Sequence, residues 1–193
     1  MSFKQYRAID IALFIIMYAA CEFLTVKAAT VWFDEPYSIS IMLPLLVMVM
    51  MRWDWFAMVN AVAYALIFVF LQKGTIGQYA IYLIGNLGCM LTVSWLLKTG
   101  KQKVKESFFM SMAFLLISFL LMEVFRGLAS VVVLGSNIRV IIQFIFTDML
   151  SLVFGILMLI VVRRVDGLFE DQKQYLLRIN SHENSVDGGW EDE

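Results

Sequence analysis

Apolar stretches fill most of residues 9–163, and the lysines and arginines between them are alternately dense and sparse. The successive connections carry, in order, Lys4 and Arg7; Lys27; Arg52; Lys73; Lys98, Lys101, Lys103 and Lys105; Arg139; and Arg163 and Arg164. An excess of lysine and arginine in short loops marks the cytoplasmic side of a membrane protein. The pattern predicts an all-α polytopic membrane protein with six transmembrane helices and both termini in the cytoplasm.

The composition agrees with this class. Apolar residues make up 61% of the chain, charged residues only 16%, and the mean hydropathy is +0.80. These values lie outside the usual range of soluble domains. We therefore expect a multi-pass protein of the cell (plasma) membrane and no nucleic-acid partner.

The six predicted spans are 9–25, 39–51, 55–72, 78–97, 108–133 and 138–162. The second span is short, because thirteen residues reach about 20 Å, whereas the hydrocarbon layer is about 30 Å thick. Residues 1–165 are predicted to form the membrane domain, and residues 166–193 a cytoplasmic polar and acidic tail. Residues 180–193 carry too few apolar side chains to order themselves.

Two connections are informative. Only residues 52–54 separate the second and third spans, which predicts a tight cytoplasmic hairpin. The connection 26–38 is longer and mixes aromatic with charged side chains. It is interpreted either as a lid over an outer site or as an ordinary interfacial loop.

Ionisable residues inside apolar spans mark candidate sites, since each costs on the order of 3 kcal/mol near the bilayer centre. Glu123 and Arg126 are three residues apart and share a helix face. With Glu22, Lys27 and Arg139 they are predicted to form an outward-facing cluster. In the alternative interpretation, the pair only packs its helix and Arg139 reaches the lipid headgroups.

Three further polar residues lie in the spans. Asp148 falls nearer the middle of the last span, and we expect it to be protonated or hydrogen-bonded across helices. Asn86 lies between Gly85 and Gly88, where it either bonds a ligand or belongs to a close helix contact. Asp10 is near the predicted inner surface and has no assigned role.

Catalytic and metal-binding motifs were not found in the sequence. The single histidine, His182, belongs to the acidic tail, and Cys21 and Cys89 lie in apolar runs without metal-ligand spacing. We therefore expect no enzyme, no metal site and no cofactor. A small binding or transport protein, or a membrane scaffold, remains.

The layout resembles the substrate-binding S-components of energy-coupling factor (ECF) vitamin transporters. The resemblance lies in the six spans, the first outer connection, the tight 52–54 hairpin and the small-residue motif Ala8-Ile9-Asp10-Ile11-Ala12, over residues 5–165. It implies a pocket made by the outer halves of the last three spans and the first outer connection. The substrate-binding residues are then Glu22, Lys27, Trp32, Tyr79, Tyr82, Asn86, Glu123, Arg126 and Arg139.

The resemblance also implies how such a protein works. It would bind a vitamin or related micronutrient and dock through Ala8 and Ala12 onto a transmembrane coupling subunit driven by two ATPase subunits. Two alternatives stay open: a non-transporting scaffold of the cell-envelope machinery, and a stand-alone small-molecule carrier that uses Asp148.

Overall fold

The computed structural model of the chain describes residues 3–32 and 40–187, with the backbone alone described for 28–32 and 180–187. All regular structure in these residues is helical, which confirms the all-α class. The helices are α1 Phe3–Trp32, α2 Met42–Trp53, a 3-10 turn Asp54–Ala57, α3 Met58–Leu71, α4 Ile76–Cys89, α5 Thr92–Thr99, α6 Lys101–Glu106, α7 Phe108–Leu134, α8 Val140–Thr147, α9 Met149–Val162 and α10 Gln172–Asp187.

The first helix is longer than its apolar pattern predicts. α1 continues to Trp32, so the predicted end at residue 25 is wrong and the first part of the 26–38 connection is helical. Backbone hydrogen bonding carries the helix past the apolar run, because lysine and alanine are good helix formers. Residues 33–39 and the Trp32 side chain lie outside the described part, so the lid interpretation stays a prediction.

The predicted hairpin at 52–54 is confirmed. Asp54 has a φ of 53°, outside the helical region, and it ends α2. Ser40, just before α2, contacts Glu22 of α1, and Arg52, near the end of α2, contacts Asp10 of α1. Asn60, beyond the turn, donates to the Ile11 carbonyl at 3.2 Å. The chain therefore reverses at Asp54, and α3 runs parallel to α1.

The short α2 is the centre of the bundle. All twelve of its residues are buried, and it contacts α1, α3, α7, α9 and α10. Pro44 is tolerated because it lies in the first turn, where the backbone N–H has no intrahelical partner. A helix of twelve residues is about 18 Å long, which is less than the thickness of a bilayer.

Four continuous helical stretches are long and apolar enough to cross a membrane, or five with the bent α8–α9 pair. They are Phe3–Lys27, Met42–Leu71, Ile76–Thr99 and Phe108–Leu134. One of them, Met42–Leu71, contains the reversal at Asp54. These helices make the chain a polytopic membrane protein, while the count of six full crossings stays a prediction because α2 is short.

Two predicted spans are interrupted, each beside a threonine. α8 and α9 meet at an angle of 44°, where Thr147 donates to the carbonyls of Gln143 and Phe144. The 78–97 span divides into α4 and α5, where Thr92 donates to the Cys89 carbonyl at 2.8 Å. Such side-chain bonds to the preceding turn compete with the helix and bend it.

The densely and sparsely charged connections lie at opposite ends of the bundle. Arg52 bonds the Gly167 carbonyl, and Arg163 donates to the Lys105 carbonyl at 2.7 Å. We call this the lysine end. At the opposite end Lys27 and Lys73 line one cavity. The alternation in the sequence thus corresponds to two sides, and the assignment of the lysine end to the cytoplasm stays a prediction.

The segment after residue 165 is attached to the bundle. Phe169 and Gln172 are buried, and Glu170 and Asp171 form ion pairs with Lys105 and Lys101. α10 then continues to Asp187, into the acidic stretch for which we predicted no ordered structure. Ion pairing, which composition does not reveal, fixes the first part of this segment.

Candidate functional site

A buried polar cluster lies inside the bundle, beside the N-terminal end of α2. It joins residues from four parts of the fold: α1, the residues before α2, the α4–α7 contact and the break between α8 and α9. We call it the core cluster, and its members are Glu22, Ser40, Asn86, Glu123, Arg126 and Asp148.

Arg126 is the centre of the core cluster and is fully buried. Its Nη1 lies 2.8 Å from Glu123 Oε1 and 2.7 Å from Asp148 Oδ2. The guanidinium carbon lies 4.6 Å from the centre of the Tyr82 ring, which adds a cation–π contact. One guanidinium thus joins α7, α4 and the α8–α9 break.

Glu22 enters the core cluster from α1 and is 1% exposed. The Ser40 hydroxyl donates to Glu22 Oε2 at 2.9 Å, and the Ser40 N–H donates to the Ser151 hydroxyl at 3.0 Å. Ser40 Oγ also accepts from the Met42 N–H at 3.2 Å. The Glu22 carboxylate therefore lies near the first turn of α2, where the helix dipole favours negative charge.

Asn86 connects the two halves of the core cluster. Its side-chain amide donates to the Ala61 carbonyl at 3.0 Å and contacts Met42 Sδ at 3.1 Å, while its Oδ1 lies 3.4 Å from Arg126 Nη2. Both the ligand and the packing interpretation of Asn86 had assumed a single role. The residue instead bridges α3, α4 and α7.

Two glycines of α4 allow Arg126 to reach this position. A Cβ on Gly85 would overlap the Arg126 side chain and lie 3.1 Å from the Met122 carbonyl oxygen. A Cβ on Gly88 would overlap the Phe125 ring. The close helix contact predicted for Gly85 and Gly88 is confirmed, with Gly85 leaving room for Arg126 and Gly88 for the Phe125 ring.

The core cluster has more acid than base. Glu22, Glu123 and Asp148 provide three carboxylates, and among the described side chains Arg126 forms ion pairs with two of them, Glu123 and Asp148. Two of its buried atoms, Glu123 Oε2 and Arg126 Nε, have no hydrogen-bond partner in the described part. Buried polar atoms are normally satisfied, so these two unsatisfied atoms make the core cluster a candidate site.

Other predicted substrate-binding residues lie elsewhere. Lys27 and Arg139 are exposed, so the predicted five-residue cluster does not form. Lys27 lines the cavity of about 710 Å³ at the opposite end, near Phe23 and Phe70. Arg139 caps α8, where its N–H donates to Asn137 Oδ1. Their long side chains reach water more easily than the bundle interior.

The aromatic candidates divide in the same way. Tyr82 contacts Arg126 and packs against Phe68, with ring centres 4.6 Å apart and the ring planes tilted by 39°. Tyr79 is half-buried against the apolar core. The Trp32 side chain lies outside the described part. Of the nine predicted substrate-binding residues, Glu22, Tyr82, Asn86, Glu123 and Arg126 meet at the core cluster.

The sequence reasoning missed three members or neighbours of the site. Asp148 was recognised as a buried acid, but its partner Arg126 lies on another helix. Ser40 was not singled out, although it lies one helical turn before Pro44, and Ser151 was noted only as a neighbour of Asp148. Serines at such positions in an apolar span were the available signal.

The two residues predicted to dock a partner lie on the surface of α1. Ala8 and Ala12 are exposed. Asp10 points away from them into the bundle, where it accepts from Arg52 at 2.7 Å and from Trp53. The Asp10 charge is therefore neutralised inside the protein, and the face carrying Ala8 and Ala12 remains small and apolar.

The core cluster offers charged groups and hydrogen-bond donors and acceptors in an apolar surround. Within the described residues, no three acidic, histidine or cysteine side chains are grouped in a way that would hold a metal ion. The comparisons with known proteins found no match: no family model matches the chain, and neither a curated protein nor a solved structure matches it.

Proposed function

We propose that this protein binds a small polar nutrient, such as a vitamin or related micronutrient, at the core cluster and takes part in its uptake across the plasma membrane. It would do so as the substrate-binding component of an ECF-type transporter. The observation that carries this proposal is the buried, incompletely satisfied set of charges around Arg126. Unpaired charge within a membrane is costly and is retained mainly where it serves a function.

The position of the core cluster supports binding. It lies beside the first turn of the central helix and is reached by side chains from α1, α4 and α7, from Ser40 before α2 and from Asp148 at the α8–α9 break. Small-molecule sites in bundles form in this way, with a few convergent polar groups in an apolar surround. A hinge or path for the solute would involve the α8–α9 bend, where Asp148 is the most exposed of the three acids.

The exposed face of α1 that carries Ala8 and Ala12 is suited to contact with a partner helix. Ala8 and Ala12 are exposed and lie one turn apart. Small side chains let two backbones approach closely in a membrane. In the proposed function this face contacts the coupling subunit, whose two ATPase subunits supply the energy.

Native mass spectrometry of the detergent-purified chain tests the binding step. We expect the wild type to retain a small molecule that is released on collisional activation. Arg126→Lys keeps the charge but loses the planar fork that joins three partners, so the retained fraction should fall at least ten-fold. Lys103→Arg, on the exposed face of α6, is the matched control and should retain the solute. A wild type that copurifies with proteins and lipids alone would favour the scaffold.

Tryptophan substitution tests the docking step. Ala12→Trp should abolish uptake in cells while the purified variant still retains its solute. Leu24→Trp is the control, because Leu24 is 64% exposed on the same helix but faces away from Ala12. Unchanged uptake in the Ala12 variant would remove α1 from the proposed interface.

A further inference from the structure

The excess of carboxylates in the core cluster determines what kind of solute it can hold. With their carboxyl groups ionised, Glu22, Glu123 and Asp148 would outnumber the one guanidinium of the core cluster and leave it with a net negative charge. An uncompensated buried carboxylate is unfavourable in a low-dielectric interior. Neutralisation must come from bound protons or from a cation that enters the site.

The described ion pairs bring no cation other than Arg126 to these acids. Lys73 and Arg139 are exposed at the end of the bundle opposite the lysine end. Arg52 and Lys101, at the lysine end, are already paired with Asp10, Asp54 and Asp171. The compensating charge is therefore not provided by the described ion pairs.

Glu123 shows where such a charge would bind. Its Oε1 lies 2.8 Å from Arg126 Nη1, while its Oε2 is buried without a hydrogen-bond partner by geometry among the residues that the structure describes. An ionised carboxylate oxygen only accepts hydrogen bonds. A group that satisfies Oε2 must therefore donate an N–H or O–H, or carry a positive charge close to it.

We propose that the solute bound at the core cluster is an organic cation, with an ammonium or other positively charged nitrogen beside Glu123 Oε2. Asp148 and Glu22 supply the remaining negative charge, and Arg126 holds Glu123 and Asp148 in place. This inference rests on the proposed function, since it names the class of solute for the same site. An anionic solute would add a further negative charge to an acidic interior and is disfavoured.

Three probes of nearly equal shape test the charge preference. Choline carries a fixed positive charge, 3,3-dimethyl-1-butanol replaces its nitrogen by carbon, and 3,3-dimethylbutanoate is an anion. We expect choline to raise the melting temperature of the detergent-purified chain and to bind at least ten-fold more tightly than the alcohol. The anion should bind least. Equal effects of choline and the alcohol, or a larger effect of the anion, would overturn the inference.

Two neutralising variants locate the effect. Glu123→Gln and Asp148→Asn should each reduce the choline shift, and the second variant keeps the test valid if the first does not fold. Glu106→Gln, an exposed change on α6, should leave the shift intact. A purified wild type that retains a neutral or anionic solute would overturn the cationic class but keep the binding proposal. A wild type that retains no solute and responds to no probe would overturn both.

Discussion

The two ion clusters of this protein use the same kinds of side chain but differ in charge balance. At the lysine end, four cations pair with four carboxylates; we call this set, Asp10, Arg52, Asp54, Lys101, Lys105, Glu170, Asp171 and Arg178, the end cluster. The core cluster has three carboxylates and one cation. A balanced network can stabilise a fold by itself, whereas an unbalanced and partly unsatisfied one needs a further component.

The two clusters also differ in what they connect. The end cluster ties the segment around Glu170 to α6, and Arg52 ties α1 to the Gly167 carbonyl. Asp10, Asp54 and Asp171 keep 12%, 34% and 20% of their side-chain surface exposed, so water can solvate these carboxylates when a pair opens, which limits the value of each ion pair. The core cluster lies within the helices, where no such compensation is expected, so the same substitution should cost more there.

The largest effect is expected from Arg126→Ala. It leaves the buried Glu123 and the partly buried Asp148 without their cation, which costs about 3–5 kcal/mol for a broken buried pair. Unfolding in mixed detergent micelles, followed by circular dichroism, measures this free energy. The double variant Glu123→Ala with Arg126→Ala should recover part of the loss. Exposed ion pairs contribute up to about 1 kcal/mol. If Arg126→Ala lowered the free energy of unfolding by no more than that, the distinction between the two clusters would be lost.

A smaller effect is expected from Arg52→Ala in the end cluster. The change removes two bonds to Asp10 and one to the Gly167 carbonyl, and bonds to charged groups contribute about 1.5–3 kcal/mol net. Asp10 keeps the Trp53 N–H and partial access to water, so we expect a loss of about 2 kcal/mol. The same unfolding assay measures it. If Arg52→Ala lowered the free energy of unfolding as much as Arg126→Ala, the charge balance of a cluster would not determine the cost of losing its cation.

The third comparison sets Gly85→Ala, beside Arg126, against Gly155→Ala in α9. Gly85→Ala adds a Cβ that overlaps the Arg126 side chain, and such overpacking costs about 1–3 kcal/mol. Gly155→Ala is the matched control in α9, where the added Cβ meets Leu115 and Pro44 at an ordinary 3.7 Å. This control should be neutral or slightly stabilising, because alanine favours helix over glycine. Equal melting temperatures for the two variants would contradict the close contact at Gly85.

The smallest expected effect is on the stability of the protein at low pH. Burial alone would raise the pKa of Glu170, but hydrogen bonds from Lys105 and the Gly167 N–H, with the charges of Lys105 and Arg178, hold that pKa below its ordinary value. The stabilisation by Glu170 is therefore present at neutral pH and is lost as pH falls through the lowered pKa. Glu170→Gln should flatten the loss of stability on acidification below about pH 4.5.

Melting temperatures measured as a function of pH test this assignment. Glu106→Gln serves as the control, because Glu106 is exposed. Among its described contacts, its side chain accepts a hydrogen bond from Gln102 and its backbone carbonyl accepts one from Arg163. Its acid profile should match that of the wild type. An identical profile for the Glu170 and Glu106 variants would mean that the lysine end does not depend on this carboxylate.

Much of the architecture follows from patterns that are local in the sequence. Apolar runs predicted α7 almost to the residue, and the three residues 52–54 predicted the turn at Asp54. The i,i+3 spacing predicted the Glu123–Arg126 pair. Each of these features depends on neighbours in the chain, since helix periodicity and loop length are read directly from consecutive residues.

The sequence by itself determined that this is an all-helical membrane protein with its basic connections at one end and with buried charge in its helices. The tertiary structure decided which charges meet. The break at Asp148 turns that carboxylate toward Arg126, and Gly85 leaves the space in which the guanidinium lies. Lys27 and Arg139 point to the surface instead. The rotation of a helix about its axis and the depth of its packing depend on contacts distant in the chain, and a single sequence carries no direct record of them.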